Sequence, residues 1–539
     1  MTSALTHTVP AAVDAAAQEF GDAVAVAEPG GRVLSYSELR TSVREVASAL
    51  IASGVEPGDR VAIWSPNTHH WVLGALGTLY AGATLVPVNT RYTGHEAFDL
   101  ISRTKARALL VTGPFLRTDR LALLAAAAGE ASLPELIVQI PAGPAEPAGP
   151  GEQTSELALS WAAFTRRGTG AGSAAVDQRA AAVTPKDVSD ILFTSGTTGR
   201  SKGAMSAHAQ ALGVARAWAQ CAELTSADRY LIVNPFFHSF GYKAGILACL
   251  LTGAAMVPQL VFDAGQAMKL IEAQRITVLP GAPTIYTSLL DHQDRDKYDL
   301  SSLRLAVTGA AVVPVALVER MRAELSFDTV LTAYGLTEAV VVTMCRAGDD
   351  ATTIATTSGR AAAGFEIAIG GTAEPRTAES STAGDVIGEI LLRGPNVMLG
   401  YLDDQAATAE AIDANGWLHT GDIGRLDERG YLTITDRLKD MYISGGFNVY
   451  PAEIEQVLAR HPSVAESVVI GVPDGRLGEV GKAFVVGRPG AGLVEAELIE
   501  FCRERLAGFK VPRQIEFLTD LPRNPAGKPL KRVLRGESS

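Results

Sequence analysis

The sequence predicts an α/β protein in two domains. A large N-terminal domain carries sheets flanked by helices plus a β-rich lobe, and a small C-terminal α/β domain follows. Three observations carry this reading. Through residues 11–140 the apolar residues alternate between helical and strand spacing, the pattern of parallel sheet covered on both faces. The chain has 539 residues, too many for one hydrophobic core. Near residue 437 a glycine-punctuated all-β pattern gives way to a compact α/β pattern. The expected domains are therefore 1–437 and 438–539.

Taken in order, Leu39, Val43, Val46, Ala47 and Leu50 fall on one helical face. Arg60 to Trp64 reads as a short strand, Trp71 to Ala81 as a helix and Thr84 to Val88 as a second strand. Residues 141–152 and 371–384, rich in Gly, Pro and Ala, read as loops or insertions. Ile191-Leu192-Phe193 is a buried strand. Residues 244–262 contain no charge and reach the length of a membrane span. Gly253, Pro258 and Gln259 interrupt them, so the prediction is a buried helix followed by the strand Ala255-Met256-Val257. Residues 386–394 and 430–435 supply the β-rich pattern. Beyond it, Pro451 opens a helix with Ile454, Val457 and Leu458 inward. Strands are expected at 468–470 and 483–486, and a helix at 498–506.

The formal net charge of −12 argues against nucleic acid or an anionic membrane as the main partner, since both need a basic face. Cys221, Cys249, Cys345 and Cys502 are scattered without metal or redox spacing, which suggests a reducing compartment. The first ten residues have no basic region and no apolar core, so no signal peptide is expected. The expected location is the cytoplasm, with no integral membrane span. A homodimer is compatible with the sequence.

The chemistry concentrates in Thr194-Ser195-Gly196-Thr197-Thr198-Gly199-Arg200-Ser201-Lys202-Gly203. Glycines and hydroxyl residues in this density cannot build a core. Behind a buried strand they form a loop whose N–H groups, hydroxyls and one ammonium can converge on phosphate oxygens. The spacing is not that of the Walker P-loop, in which four residues separate the glycines and Lys follows the second. As a bare turn the string has little reason to follow a buried strand.

This string resembles the signature of the adenylate-forming superfamily, which includes acyl-CoA synthetases, luciferases and peptide-synthetase adenylation domains. Further strings match the superfamily in its order. Thr308-Gly309-Ala310-Ala311 resembles the loop lining one adenine face. Tyr334-Gly335-Leu336-Thr337-Glu338 resembles the motif whose aromatic ring packs on adenine and whose Glu helps hold Mg²⁺. Residues 417–422 end in Asp422, which the resemblance places on the ribose hydroxyls. A carboxylate accepting two hydroxyls is a natural ribose grip. Arg437 is implied as a further ribose contact, Lys439 as the hinge, and Ser444-Gly445-Gly446 as the loop that shapes the CoA tunnel. Lys528 ends the Pro522 to Lys528 turn, in the place of the family's C-terminal catalytic lysine. His238, with Phe240 and Tyr242, is implied at the acyl pocket, together with Gly309 and Gly335. Each string alone has a blander reading. A lone Thr-Gly-Asp is usually a turn, and a lone buried-looking histidine is usually packing.

The implied activity is an ATP-dependent acyl-CoA ligase using ATP, Mg²⁺ and coenzyme A on a small carboxylic acid. Attack of a carboxylate on the α-phosphate brings anion to anion. Lys202, Thr194, Lys528 and Mg²⁺ near Glu338 would answer that with positive charge and hydrogen bonds. The small domain is then implied as a mobile lid. No acidic residue lies between Asp228 and Asp263, so no partner awaits a substrate ammonium and an amino acid is disfavoured. Residues 65–68, 89–93, 234–250, 279–286 and 441–451 resemble those of actinobacterial ligases acting late in steroid degradation, on the bicyclic propanoate left from rings C and D. The alternatives are a medium-chain or aryl acyl-CoA ligase, a ligase loading a carrier protein, and a non-catalytic acyl- or adenylate-binding regulator.

Overall fold

A computed structural model of the chain describes residues 6–141, 153–155, 157–170, 173–194, 201–309, 313, 315–370, 376–377, 388–437, 442–449, 451–488, 490, 492, 494–522 and 531–536. Two large sheets build most of the N-terminal part. Among the described residues the first has nine strands. Gly400–Tyr401 lies at one edge, followed by Lys202–Ala207, Val188–Thr194, Thr84–Pro87, Arg60–Trp64, Ala108–Thr112, Leu136–Ile140, Ala158–Ser160 and Gln153–Ser155. Its centre is parallel: Arg60–Trp64 pairs in parallel with both Thr84–Pro87 and Ala108–Thr112. These strands are nearly continuous apolar runs because both faces are covered. The chain then reverses, and Val188–Thr194 pairs antiparallel with Lys202–Ala207. Thr194, Lys202 and Gly203 of the Thr/Ser/Gly string belong to these two strands.

The second sheet runs through Val33–Ser35, Val24–Ala27, Ala255–Pro258 and Arg229–Ile232. Bridges at Val278 to Tyr230 and to Leu305 join it to Leu305–Gly309, Thr329–Tyr334, Thr343–Met344 and Arg360–Ala361. One core cluster unites the two sheets, taking Ile63, Leu85 and Leu110 from the first and Val26, Met256 and Val330 from the second. Helix His69–Tyr80, buried at every position, lies within it. It begins two residues before the expected start because the Thr68 side chain accepts the Trp71 N–H and caps it. Helix Tyr36–Ala52 starts on a capping box formed by Ser35 and Glu38 and buries Leu39, Val43, Val46, Ala47 and Leu50 together.

The uncharged stretch folds as read: a π-helical segment Tyr242–Leu247, helix Ala248–Thr252, left-handed Gly253 and strand Ala255–Pro258. Among the described residues no helix is long and apolar enough to cross a membrane. The β-rich lobe is an antiparallel sheet of Arg376–Thr377, Glu366–Ile369, Gly388–Arg393, Leu418–Leu426 and Leu432–Arg437. From Tyr442 onward the strands form a separate sheet, with Phe447–Val449, Tyr442–Ser444, Gly478–Gly487 and Val464–Asp474 in order and Gln514–Leu518 parallel to Gly478–Gly487. Ile454, Leu458, Val469, Leu498 and Cys502 share its own core cluster. Its long hairpin outruns the expected 468–470 because pairing continues to Asp474 opposite Gly478, beyond the apolar run. Its helix Glu495–Arg503 starts and ends three residues before the expected one. Residues 142–152 and most of 371–384 lie outside the described residues. All four cysteines are free and buried.

Candidate active site

The site is built where strands end. Thr194 closes one strand of the hairpin and Lys202 opens the other; the two residues are paired in register. The Thr194 hydroxyl donates to the Lys202 carbonyl at 3.5 Å. Ser195, Gly196, Thr197, Thr198, Gly199 and Arg200 lie outside the described residues. The loop's exit is anchored by Arg103, at the end of helix Gly94–Arg103. It donates to the Ser201 carbonyl at 2.7 Å and to the Ser201 hydroxyl at 3.3 Å, while its guanidinium sits 5.3 Å from the Phe193 ring.

Alongside, parallel strands Leu305–Gly309 and Thr329–Tyr334 end together, with Gly309 opposite Ala333. A Cβ on Gly309 would run into the Ala333 carbonyl oxygen. The carboxyl ends of parallel strands are where open α/β sheets bind ligands. Thr308 is buried, and its hydroxyl has no hydrogen-bond partner among the described residues. Ala310 and Ala311 lie outside the described residues. Gly335 is exposed, and a Cβ there would overlap the Val340 carbonyl oxygen, so the turn after Tyr334 admits only glycine. Leu336 and Thr337 are half-buried within that turn.

The Tyr334 ring packs with Ala204, Ala339 and Val342, and its hydroxyl donates to Asp422 Oδ2 at 2.7 Å. Asp422 lies on strand Leu418–Leu426, directly opposite Arg437 in register. Glu338 accepts from the Tyr401 hydroxyl at 2.7 Å. The Lys202 ammonium lies 5.0 Å from the centroid of the Tyr401 ring. Tyr401 reaches this place because Gly400–Tyr401 pairs with Ala204 and Met205 at the sheet edge. One continuous line thus joins Thr194, Lys202, Tyr401 and Glu338, with Tyr334 and Asp422 beside it. Tyr401 and Arg103 were not among the residues singled out in the sequence.

Among the described residues no three His, Cys, Asp or Glu side chains gather to hold a metal. Glu338 offers a carboxylate next to Lys202 and Tyr401, a hard oxygen donor of the kind Mg²⁺ takes together with phosphate and water.

The wall beside this line is residues 234–250. His238 is exposed, and desolvation by the surrounding protein lowers its pKa. Phe240 is half-buried and meets Trp218 edge-on at 5.0 Å. Tyr242 has no exposed surface. Its ring packs on Trp71, 6.1 Å away on the apolar helix His69–Tyr80, so it backs the wall rather than facing out of it. Phe236 is buried against the same tryptophan. Asn67 pins the wall: its amide donates to the Asn234 carbonyl at 2.9 Å, and its side-chain oxygen accepts the Phe236 N–H at 2.8 Å. Asn234 in turn donates to the Pro280 carbonyl at 3.1 Å. Lys243 is buried and pairs with buried Asp190 at 2.8 Å, tying the wall to the strand that ends at Thr194.

From the C-terminal sheet, Ser444 is buried, and Gly445 and Gly446 turn with φ of +57° and +82°. A Cβ on Gly446 would stand 3.9 Å from the Ala282 Cβ. Glycine backbone therefore faces Ala282, two residues after the Pro280 carbonyl that Asn234 holds. Lys439 and Lys528 lie outside the described residues.

Residues 13–402 match the AMP-binding enzyme family, and residues 453–528 match the AMP-binding enzyme C-terminal domain. The chain belongs to the AMP-binding enzyme family. It is 60% identical over 98% of its length to a 3-[(3aS,4S,7aS)-7a-methyl-1,5-dioxo-octahydro-1H-inden-4-yl]propanoyl:CoA ligase of Rhodococcus jostii, with 98% of that protein covered. It is 58% identical, again over 98% of both chains, to the ligase of the same name from Mycobacterium tuberculosis. Among solved structures, o-succinylbenzoate CoA synthetase from Bacillus subtilis superposes with a TM-score of 0.79 at 26% identity, covering 97% of this chain and 98% of that one. The predicted α/β architecture, with a large N-terminal and a small C-terminal part, is the one these relatives share.

Proposed function

We propose that this AMP-forming acyl-CoA synthetase joins a steroid-derived bicyclic propanoate to coenzyme A at the expense of ATP. The observation that carries the substrate is the 60% identity, end to end, with a ligase named for such an acid. In the first step the carboxylate oxygen attacks the α-phosphorus, an acyl–phosphate bond forms and pyrophosphate leaves. In the second, the CoA thiolate attacks the acyl carbonyl and AMP leaves.

The chain's own residues divide the work. Thr194, Lys202 and the intervening string hold the phosphates. Tyr334, Gly335 and the strand end at Thr308–Gly309 receive the adenine, and Asp422 with Arg437 receives the ribose. Glu338, oriented by Tyr401, holds Mg²⁺, which supplies charge neutralisation on the phosphates when bound. Lys528 supplies an ammonium to the developing negative charge. His238 and Phe240 line the acid pocket, with Tyr242 behind them. We further read 438–539 as a lid pivoting at Lys439, so that Lys528 serves the first step and Gly445–Gly446 the second. ATP and coenzyme A as co-substrates fit a cytoplasmic enzyme.

The test is kcat/KM across three groups of acids in an assay of CoA-dependent AMP release. The bicyclic propanoate should rank first, C6–C10 acids lower, and amino acids should give nothing. Apolar contact discriminates only about 10- to 200-fold per methylene-scale difference, so some activity on medium-chain acids is expected. A preference for palmitate or an aryl acid would overturn the steroid assignment. The aryl outcome is the second reading, since the chain is also 36% identical to a feruloyl-CoA synthase of Amycolatopsis over 94% of both.

A further inference from the structure

Lys510 is a buried ammonium that the chemistry above does not use. It is 3% exposed and lies in the C-terminal unit, yet its Nζ stands 2.9 Å from Glu96 of the N-terminal unit and 2.7 Å from Glu453 of its own. The Tyr92 ring centroid is 4.6 Å away. Burial alone would depress the Lys510 pKa, but Tyr92 and the two carboxylates outweigh it and hold it above the usual lysine range. Burial raises the Glu453 carboxyl despite that ammonium.

Glu96 is divided between two tasks. Its Oε2 accepts the Thr93 N–H at 2.9 Å, closing the capping box of helix Gly94–Arg103, and its Oε1 takes Lys510. Two neighbouring contacts cross between the same units. The Thr93 hydroxyl donates to the Arg505 carbonyl at 3.5 Å. The Arg91 guanidinium lies 4.3 Å from the centroid of Phe447, which packs on Phe509 at 4.7 Å. Phe447 directly follows Gly446, the residue that faces Ala282. The contacts at Glu96 and the seating of the glycine turn therefore belong to one docked arrangement.

We propose that the Glu96–Lys510–Glu453 triad is the catch that seats the small domain for the thiol step, making Glu96 and Lys510 positioning residues for thioester formation and not for adenylate formation. The proposal rests on the two-step CoA ligase reading above. The physical reason lies in the asymmetry of the triad. Lys510 and Glu453 share one unit and travel together, so parting from Glu96 never leaves the ammonium unpaired. One charge contact is made on seating and lost on release, which biases the equilibrium without fixing it. While the catch is made, the glycine turn read above as serving the thiol step lies against Ala282 with no side chain of its own between.

The test compares half-reactions in the full-length chain. Glu96→Gln keeps an N3 residue able to cap the helix and removes the charge. ATP–pyrophosphate exchange with the preferred acid should stay within about twofold of the wild type. Single-turnover conversion of preformed acyl-adenylate plus CoA should slow by roughly 5- to 150-fold, the range of a typical conformational coupling. Lys510→Gln should show the same split more strongly, since Glu96 and Glu453 then face each other unneutralised. Melting temperatures identify any general loss of fold. Equal slowing of both half-reactions in Glu96→Gln at unchanged melting temperature, or an unchanged thiol step, overturns the catch. If the wild type itself fails to turn acyl-adenylate and CoA into thioester, the ligase reading fails instead.

Discussion

Tyr401 serves two partners at once, its hydroxyl on Glu338 and its ring under Lys202. Tyr401→Phe removes the first contact and keeps the second. A hydrogen bond to a charged group contributes about 1.5–3 kcal/mol, and less where solvent reaches it. Half-maximal ATP–pyrophosphate exchange should then require roughly five- to tenfold more Mg²⁺, an effect of about 1 kcal/mol. An unchanged Mg²⁺ titration would show that Glu338 needs no orienting partner. This residue also marks the limit of what the sequence discloses. Tyr334, Gly335 and Glu338 lie in one string whose residue types declare themselves. Tyr401 lies 63 positions from the carboxylate it meets, and only strand pairing at a sheet edge joins them. Asn67 and Asn234 both lie in strings that the sequence singles out, but nothing there pairs them across 167 positions.

Helix Tyr36–Ala52 was legible from periodicity, through the apolar face from Leu39 to Leu50, while the Ser35 and Glu38 box that starts it was not singled out. Ends were less legible, because a hairpin such as Val464–Asp474 with Gly478–Gly487 is prolonged by its partner's hydrogen bonds rather than by its own side chains. One long-range contact between elements sets a pH dependence. His208 opens helix His208–Cys221, and its Nδ1 accepts the N–H of Val9, which opens the first helix, at 3.2 Å. Burial lowers its pKa from 6.5 to about 4, against a smaller upward pull from Asp190 and Asp187. Burial, with His69 and Arg32, lowers His70 to about 3. Both stay neutral in the fold while the unfolded chain binds protons near pH 6.5. Their stabilisation is complete above 6.5 and is lost as pH falls toward 4 and 3, at about 1.4 kcal/mol per pH unit for each group. Thermal melts between pH 7 and 4.5 should fall accordingly. His208→Asn, which keeps an acceptor and loses the titration, should flatten the slope by about one proton. A slope identical to the wild type would mean that His208 is protonated in the fold at no cost.

At the scale of the molecule, the division into a large and a small part was readable from a change of pattern, but the docking of one on the other was not. Glu96 and Lys510 are 414 residues apart, and neither belongs to a string that points at its partner. The two-step reading makes a separable prediction here. If Lys528 serves only phosphoryl transfer, Lys528→Ala should lower adenylate formation by roughly 10²–10³. Supplied acyl-adenylate and CoA should still yield thioester at near the wild-type rate. Glu96→Gln is expected to do the reverse, so the pair of variants dissects one small domain into two independent duties. Equal loss of both half-reactions in Lys528→Ala would end that separation.

The four cysteines gain a meaning from this chemistry. An acyl adenylate is an electrophile that modifies any thiolate within reach. Burial holds the thiols of Cys221, Cys249 and Cys345 above their ordinary pKa and pushes Cys502 up to about 12. None is exposed, so all four remain protonated and shielded at neutral pH. A catalyst that must hold an activated acid until a foreign sulfur arrives has thus kept its own sulfur from answering first, and it can idle fully charged without acylating itself at cysteine.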